Sequence, residues 1–456
     1  MKAGGSSPAA RRSAFVIALV ACWISAGALP LVDMLHDVRA PNDFTPDYVT
    51  AVAWARLGRC GRPLPSVLDR ATADDYARSI GARRLENLLG PYYVHPPTAL
   101  LATLPLAPLP YPIAAAIWQL ASVGLVGLLA WMLAPIAAEG GLSIPRPLLF
   151  LLLLLWPPML TNLELGQWSP LLAVTLAAGH RDWERGERRR GATWMAVATA
   201  IKLSPAVLLL PIGLRDRRAA RRFCAVVLAL VLLALPMGGL AAWRALLRES
   251  GGNTVAWQTW WHNVLSLNGL AARLFGPGRF ARPLLAAPSV GRALLLAAEA
   301  ALVGVAVLAL LRRRRGEDDR LRDGCALALW YVLVVVLNPL GWPHYALLLL
   351  LPAALTWRAA VALDDPIARR LVALALLLLS IPKETLFLRA IPLPTSPGRS
   401  LWLSVPLYAA LSLFAAAARI ALPRPKPAGE EDPTPQRAGR IGAGSSGRPS
   451  TVCERT

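Results

Sequence analysis

The stretch YPIAAAIWQLASVGLVGLLAWMLAPIA, residues 111–137, contains no charged side chain. An apolar run of about 18 residues or more is typical of a helix that crosses a membrane. Comparable runs occupy residues 13–35, 221–246, 287–311 and 399–422. Only 16% of the 456 residues are charged, whereas a soluble domain carries about a quarter. The sequence therefore predicts an all-α integral membrane protein.

Basic residues lie in short clusters between the apolar runs, and such clusters mark cytoplasmic loops. They are Arg11 and Arg12 and the stretches 181–190, 214–222, 312–322 and 358–370. The net charge of +21 is spread over these loops, so it does not indicate nucleic-acid binding. Residues 1–12 and the Pro-, Gly- and Arg-rich tail 423–456 are both expected in the cytoplasm, the tail as a disordered segment.

This charge pattern predicts a polytopic bundle over residues 13–422, with about ten full spans. Residues 36–95 become the first extracytoplasmic loop. Residues 191–213 are apolar but have basic flanks on both sides, and they contain Lys202 and Pro205. Broken helices and charged side chains at membrane depth are tolerated only inside protein or against a polar cavity. We therefore expect a re-entrant pair of half-helices there.

In this topology the unusual polar stretches gather on the extracytoplasmic side. They are Asp43, Asp47, YYVHPP (92–97), ELGQ (164–167), WWHN (260–263), LSLNG (265–269) and NPLGWPH (338–344). Polar turns that only connect helices would be expected on both sides of the membrane. The break at 338–344 is therefore expected to end two helices beside a polar cavity.

Asp47 follows Pro46 at the predicted start of a short helix in the first outer loop. A carboxylate there is either an N-cap or a general base that deprotonates a sugar hydroxyl. Asp43 competes for the role of base, and Asp33 and Asp37 compete weakly.

Other candidates have a structural and a functional interpretation each. Tyr93 and His95 belong either to an interfacial aromatic belt or to a sugar or phosphate site. Glu164 and Gln167 lie in a capped turn or contact a sugar. Lys202 either snorkels to the interface or binds a lipid phosphate.

His262, Asn263 and Asn268 lie near three tryptophans, Trp257, Trp260 and Trp261. This aromatic, hydrogen-bonding surface suits carbohydrate binding and membrane anchoring equally. Trp342 and His344 are either structural or face the sugar or phosphate. The five cysteines are scattered, and their spacing suggests no metal or redox site.

Five short motifs occur in a fixed order after the early outer-loop Asp. They are Y-x-H-P-P (93–97), G-Q (166–167), A-x-K-L-x-P (200–205), S-L-x-G-x-x-x-R (266–273) and N-P-x-x-W-x-H (338–344). Together they resemble glycosyltransferase family 87, the polyprenyl-phosphate-mannose-dependent mannosyltransferases of the GT-C superfamily. The resemblance covers residues 10–420.

The resemblance implies a GT-C fold in the plasma membrane, with an extracytoplasmic active site. It implies a polyprenyl-phosphate-linked sugar donor and a glycolipid or glycan acceptor, with no nucleotide sugar and no required cofactor. No ligand cluster demands a metal, although outer-loop carboxylates could hold one. Asp47 matches the catalytic carboxylate. Lys202 matches the family lysine for the donor phosphate, and Gln167, His344 and Asn268 fall at matching positions.

The chain departs from the family pattern at several points. His95 stands where an aromatic residue is common, and Tyr345 stands where a second His is frequent. The choice of sugar and acceptor therefore stays open. The closest alternative donor is polyprenyl-phosphate-arabinose. A lipid or solute transporter and a non-catalytic membrane scaffold are the alternatives outside the transferases.

Overall fold

A computed structural model describes residues 43–57, 95–237, 263–276, 282–311, 317–382 and 397–422, together with 240, 243 and 244. Every regular element in these segments is helical, which confirms the all-α prediction. The predicted first span (13–35), most of the first loop and both termini lie outside the described residues.

The main helices are labelled in chain order. They are α1 Phe44–Leu57, α2 Tyr111–Glu139, α3 Arg146–Leu154, α4 Pro157–Leu165, α5 Ser169–Glu184, α6 Arg188–Ile201, α7 Leu209–Arg215, α8 Arg217–Ala234, α9 Leu267–Phe275, α10 Pro288–Leu311, α11 Glu317–Val336, α12 Leu350–Ala362, α13 Pro366–Leu379, α14 Pro397–Leu403 and α15 Val405–Ala421. Short 3₁₀ or mixed helical segments at Pro97–Leu106, Ser204–Leu208 and Pro343–Leu349 connect some of them.

The described segments contain between three and five candidate membrane spans. Helices α2 and α10, and the helix formed by Pro343–Leu349 with α12, are long and apolar enough to cross a bilayer. The pairs α3/α4 and α14/α15 bend by 62° and 54° at short breaks, and each pair could form one span. Others, such as the 16-residue α5, are shorter than the roughly 20 residues that a span needs. The count of about ten full spans therefore stays a prediction.

Two spans that we expected to be continuous are broken. The charge pattern also predicts a short span over residues 147–161, and the structure divides it at Trp156, which has an extended backbone and precedes Pro157. A residue before proline is pushed out of the α region, so the helix ends there. The predicted span 399–422 divides at Ser404, just before α15.

Helix α11 forms the centre of the larger core. Its residues 325–336 are all buried. It packs against α12, α15 and the Pro343–Leu349 segment. The segment that follows α11 is therefore held against the best-packed part of the molecule.

Helices α5 and α6 form a tight hairpin whose open end and turn lie at opposite ends of the two helices. Gly179 and Gly191 allow close approach, because a Cβ on Gly191 would lie 2.6 Å from the Gly179 carbonyl oxygen. Helix α6 has 14 residues, or about 21 Å of length. Trp168 before α5 and Lys202 after α6 thus lie at one end, and the arginine-rich turn 185–190 lies at the other.

The predicted break at Lys202 is confirmed. Helix α6 ends at Ile201, and Lys202 has an extended backbone with φ −148° and ψ 132°. The chain then returns through α7, and the Arg188 guanidinium lies 4.0 Å from the Asp216 carboxylate. Both ends of this segment therefore meet at the arginine-rich end, as a re-entrant pair requires. Its placement in a membrane stays a prediction.

Candidate functional site

Aromatic packing fixes the N-terminal end of α1. Phe44, Tyr48 and Tyr111 are fully buried, with ring centroids 5.3 to 6.3 Å apart. Asp43 directly precedes the helix, and Asp47 lies in its first turn, where the helix dipole favours a carboxylate. The small aromatic core therefore sets the position of both carboxylates.

A sharp turn between α4 and α5 supplies a hydrogen-bond donor to each carboxylate. Gly166 ends α4 in the left-handed region, with φ 70°, which glycine adopts without strain. The Gln167 side-chain amide donates to Asp43 Oδ2. The Trp168 indole Nε1 donates to Asp47 Oδ2 at 2.8 Å. Two consecutive residues of the G-Q-W sequence thus hold the two aspartates.

Backbone contacts fasten this turn to its neighbours. The Asp43 backbone N–H donates to the Leu165 carbonyl at 2.8 Å. The Trp118 indole on α2 donates to the Gly166 carbonyl, also at 2.8 Å. The turn, α1 and α2 therefore form one connected unit.

His95 makes the second contact to Asp47. Its Nδ1 lies 3.0 Å from Asp47 Oδ1, and its ring meets Trp168 edge-on at 5.9 Å. Asp47 is 1% exposed and His95 is 5% exposed. Three residues later, the Thr98 hydroxyl donates to the Ala200 carbonyl at the end of α6. This bond places the His95 segment beside the Lys202 break.

Lys202 brings a positive charge to the two aspartates. Its Nζ lies 4.3 Å from the centre of the Tyr345 ring, in cation–π geometry. Its charge also attracts the carboxylates of Asp43 and Asp47. The site therefore combines two carboxylates and a cation that come from distant parts of the chain.

The surroundings of Asp43 favour the protonated form of its carboxyl group. Burial raises the pKa of Asp43, although the Gln167 hydrogen bond and the charges of His95 and Lys202 oppose this change. Asp43 stays partly exposed at the surface, so water moderates the effect. Asp43 is therefore easier to protonate than an ordinary aspartate.

The break between α11 and α12 is fastened by a buried asparagine. Asn263 is fully buried, and its Nδ2 donates to the Pro339 carbonyl at 2.8 Å. Its Oδ1 accepts from the Gly341 N–H at 2.7 Å and from the Ser266 hydroxyl at 2.8 Å. The predicted break at 338–344 is thus confirmed, and it has a defined conformation.

Arg273 extends this fastening to α15. It is 1% exposed, and it donates to the Asn263 carbonyl at 2.6 Å and to the Ser404 hydroxyl at 2.7 Å. The His344 ring lies 4.4 Å from the Tyr345 ring, and Tyr345 lies under Lys202. The hydrogen-bonded break therefore sets the ring against which Lys202 packs.

The structure brings Asp43, Asp47, His95, Gln167 and Lys202 into one cluster. His344 reaches it through its contact with Tyr345 and is fully buried. This grouping includes candidates for the base and for the phosphate-binding residues.

Other predicted residues lie apart from this cluster. Glu164 is exposed on α4, and Asn268 is half-buried on α9. Trp342 is half-buried against the larger core and contacts His344. Tyr93 and His262 lie outside the described residues.

Three residues with clear roles in this geometry, Trp168, Arg273 and Tyr345, were not predicted as site residues. Trp168 directly follows the G-Q pair, and Arg273 closes a motif that the sequence already showed. Asn263 was expected on a hydrogen-bonding surface, but no local pattern indicated its partners or those of Tyr345.

No group of three or more His, Cys, Asp or Glu side chains is placed to hold a metal ion within the described segments.

The sequence model of glycosyltransferase family 87 matches residues 93–339, which is more than half of the chain. The chain belongs to glycosyltransferase family 87. The protein is therefore a glycosyltransferase, and the match covers His95, the G-Q-W turn and the Lys202 break. Asp43 and Asp47 precede the matched residues. Neither the search of curated proteins nor the search of solved structures found a match.

Proposed function

We propose that this glycosyltransferase transfers mannose from a polyprenyl-phosphate donor to a glycolipid or cell-envelope glycan acceptor. The reaction takes place at the extracytoplasmic face of the plasma membrane, in a GT-C-type helical bundle, and inverts the anomeric configuration. Membership of a glycosyltransferase family favours this reaction over transport or a scaffold role.

The observation that carries the proposal is that a buried carboxylate and a cation lie at the same end of the fold. Asp47 is buried, and Lys202 supplies a compensating charge to it and to Asp43. Buried charges are costly unless they are paired or used, and such arrangements concentrate at functional sites. Transfer from a sugar phosphate needs two groups. One is a base that takes the proton of the acceptor hydroxyl, and the other is a cation that stabilises the leaving phosphate.

In this mechanism Asp47 serves as the base, and Asp43 is the second candidate. The acceptor hydroxyl oxygen attacks the anomeric carbon, and the Asp47 carboxylate takes the hydroxyl proton. The bond between the anomeric carbon and the phosphate oxygen breaks, and the electron pair leaves with polyprenyl phosphate. A single displacement without a covalent intermediate inverts the anomeric carbon.

Lys202 stabilises the leaving phosphate, which develops negative charge as the bond breaks. His344, which packs against the Tyr345 ring, is proposed to assist Lys202. Gln167 was expected at the phosphate as well. Because its amide already donates to Asp43, we assign it first to holding that carboxylate.

The acceptor side is less defined. Tyr93, His95, His262, Asn268 and Trp342 remain proposed sugar or acceptor contacts. Glu164 is exposed on α4, so it would meet an acceptor only at the rim of the site.

The location of charges supports an extracytoplasmic site. The α5–α6 hairpin places Trp168 and Lys202 at one end, and residues 188–190 at the other are exposed arginines. Arg217 and Arg218 at the start of α8 are exposed as well. Because arginine clusters mark the cytoplasmic side, the site belongs at the opposite face.

The test uses purified protein in lipid nanodiscs with a lipid extract of the host. Radiolabelled polyprenyl-phosphate-mannose and polyprenyl-phosphate-arabinose are supplied in separate reactions. We expect a labelled glycolipid or glycan from the mannose donor, with an α-linkage from a β-linked donor by NMR. A product from arabinose alone would favour the alternative donor.

A transporter is distinguished in the same preparation. Proteoliposomes that accumulate the intact donor, with no new glycosidic bond from either sugar, would overturn the proposed function.

A further inference from the structure

Both oxygens of the proposed base already accept a hydrogen bond. Asp47 Oδ2 takes the Trp168 indole N–H at 2.8 Å, and Asp47 Oδ1 lies 3.0 Å from His95 Nδ1. The Asp47 side chain is 1% exposed and the His95 side chain is 6% exposed. Both side chains are buried, and the imidazole is only slightly more exposed than the carboxylate.

The contact defines the tautomer of the imidazole. An ionised carboxylate can only accept hydrogen bonds, so the proton of a neutral His95 lies on Nδ1. The lone pair then lies on Nε2, on the side of the ring that points away from Asp47. A carboxylate that fixes the tautomer of a histidine also stabilises the imidazolium when Nε2 takes a proton.

The surrounding charges suit this role. The imidazole interacts with the charge of Asp43 as well as with Asp47, and Lys202 attracts the same two carboxylates. Helix α8, which packs on the segment after His95, has its charged side chains only at residues 217–222, near the start of α6. A proton on His95 would therefore lie against the Asp47 carboxylate and would also be attracted by the charge of Asp43.

We propose that His95 and Asp47 form a catalytic dyad, in which His95 Nε2 accepts the proton of the acceptor hydroxyl and Asp47 orients the imidazole. This inference rests on the proposed function and moves the proton-accepting role from Asp47 to His95. The acceptor oxygen bonds to the anomeric carbon, the bond from that carbon to the phosphate oxygen breaks, and the electron pair leaves with polyprenyl phosphate. The proton moves to His95 and then to solvent.

The competing arrangement reverses the two roles, so that His95 only orients Asp47 and Asp47 takes the proton. The two arrangements differ in what an asparagine at position 95 would do. In His95→Asn, the amide N–H can replace the Nδ1–H donated to Asp47, but the Nε2 lone pair is lost. If His95 only orients Asp47, asparagine should keep most of the activity. If His95 accepts the proton, asparagine should not.

The first test is the pH dependence of wild-type transfer between pH 5 and 8. A dyad predicts that kcat/KM rises with pH over this range, because a protonated imidazole cannot accept the hydroxyl proton. A profile without that rise would overturn the dyad.

The second test compares the wild type with His95→Asn and His95→Ala under the same donor and acceptor concentrations. We expect kcat to fall by about 10²- to 10⁴-fold in both variants, with the donor KM nearly unchanged. Added imidazole should restore part of the activity of His95→Ala. A His95→Asn enzyme with near wild-type kcat and an unchanged pH profile would contradict the proposal.

The wild-type reaction separates this inference from the proposed function. If the wild type transfers no sugar from either donor, the proposed function fails. If the wild type is active and the His95 variants keep its rate, only the dyad fails.

Discussion

Asn263→Ala should destabilise the protein strongly, because one buried side chain fastens two separate segments. The amide donates to the Pro339 carbonyl and accepts from the Gly341 N–H and the Ser266 hydroxyl, at 2.7 to 2.8 Å. The residue is fully buried. Alanine would leave two backbone groups without these partners.

The magnitude follows from the groups that lose their bonds. A buried donor or acceptor left unsatisfied costs about 1–3 kcal/mol. Two backbone groups together therefore predict a loss of about 3 kcal/mol in the free energy of unfolding, towards the lower end because water can enter the vacated space. The Pro343–Leu349 segment would also lose its anchor, so the donor KM should rise.

The assay is unfolding by SDS in mixed micelles, followed by far-UV circular dichroism. Asn268→Ala is the matched control, since Asn268 is half-buried on the same short stretch and makes no side-chain hydrogen bond with the described residues. We expect the control to change stability by less than about 0.5 kcal/mol. Equal stability of the two variants would refute the role of Asn263.

Trp168→Phe keeps a ring in the site but removes the N–H donated to the buried carboxylate. In the transfer assay kcat should fall about 10- to 100-fold with an unchanged donor KM. An unchanged kcat would contradict this role of Trp168. Lys202→Met should raise the donor KM by about 10- to 100-fold, whereas Tyr345→Phe, which keeps the ring face under the lysine, should leave it unchanged. Gly341→Ala places a methyl group 2.5 Å from a backbone nitrogen and should cost about 1–3 kcal/mol of stability by the SDS assay, whereas Gly124→Ala meets no atom within 4 Å and should not destabilise the protein. Equal stability of the two glycine variants would count against the close approach at the break.

Local pattern was enough to predict much of the fold. The apolar runs gave the helical class, and Lys202 and Pro205 marked the break after α6. The polar sequence NPLGWPH marked the break after α11. These features depend on neighbouring residues, so periodicity and proline chemistry reveal them.

The contacts that make the site are not local. Trp168 and Asp47 are 121 residues apart, and Asn263 and Pro339 are 76 apart. No period in the sequence links such positions, so the sequence suggested the candidates but not their pairing. The resemblance to the family indicated Asp47 and Lys202, whereas only the structure brought them to the same end of the α5–α6 hairpin.

The number of spans was harder to predict for another reason. The helix pairs that are broken before Pro157 and at Ser404 keep the apolar composition of a continuous span. Composition alone therefore predicts one continuous span where the backbone forms two helices.

Asp47 should be required for sugar transfer from a lipid-linked donor. We would measure transfer from labelled polyprenyl-phosphate-mannose in membranes that contain equal amounts of the wild type, Asp47→Asn or Asp43→Asn. We expect a labelled product from the wild type, a loss of about 10²- to 10⁴-fold in Asp47→Asn, and a smaller loss in Asp43→Asn. Near wild-type transfer by a folded Asp47→Asn protein would contradict this requirement.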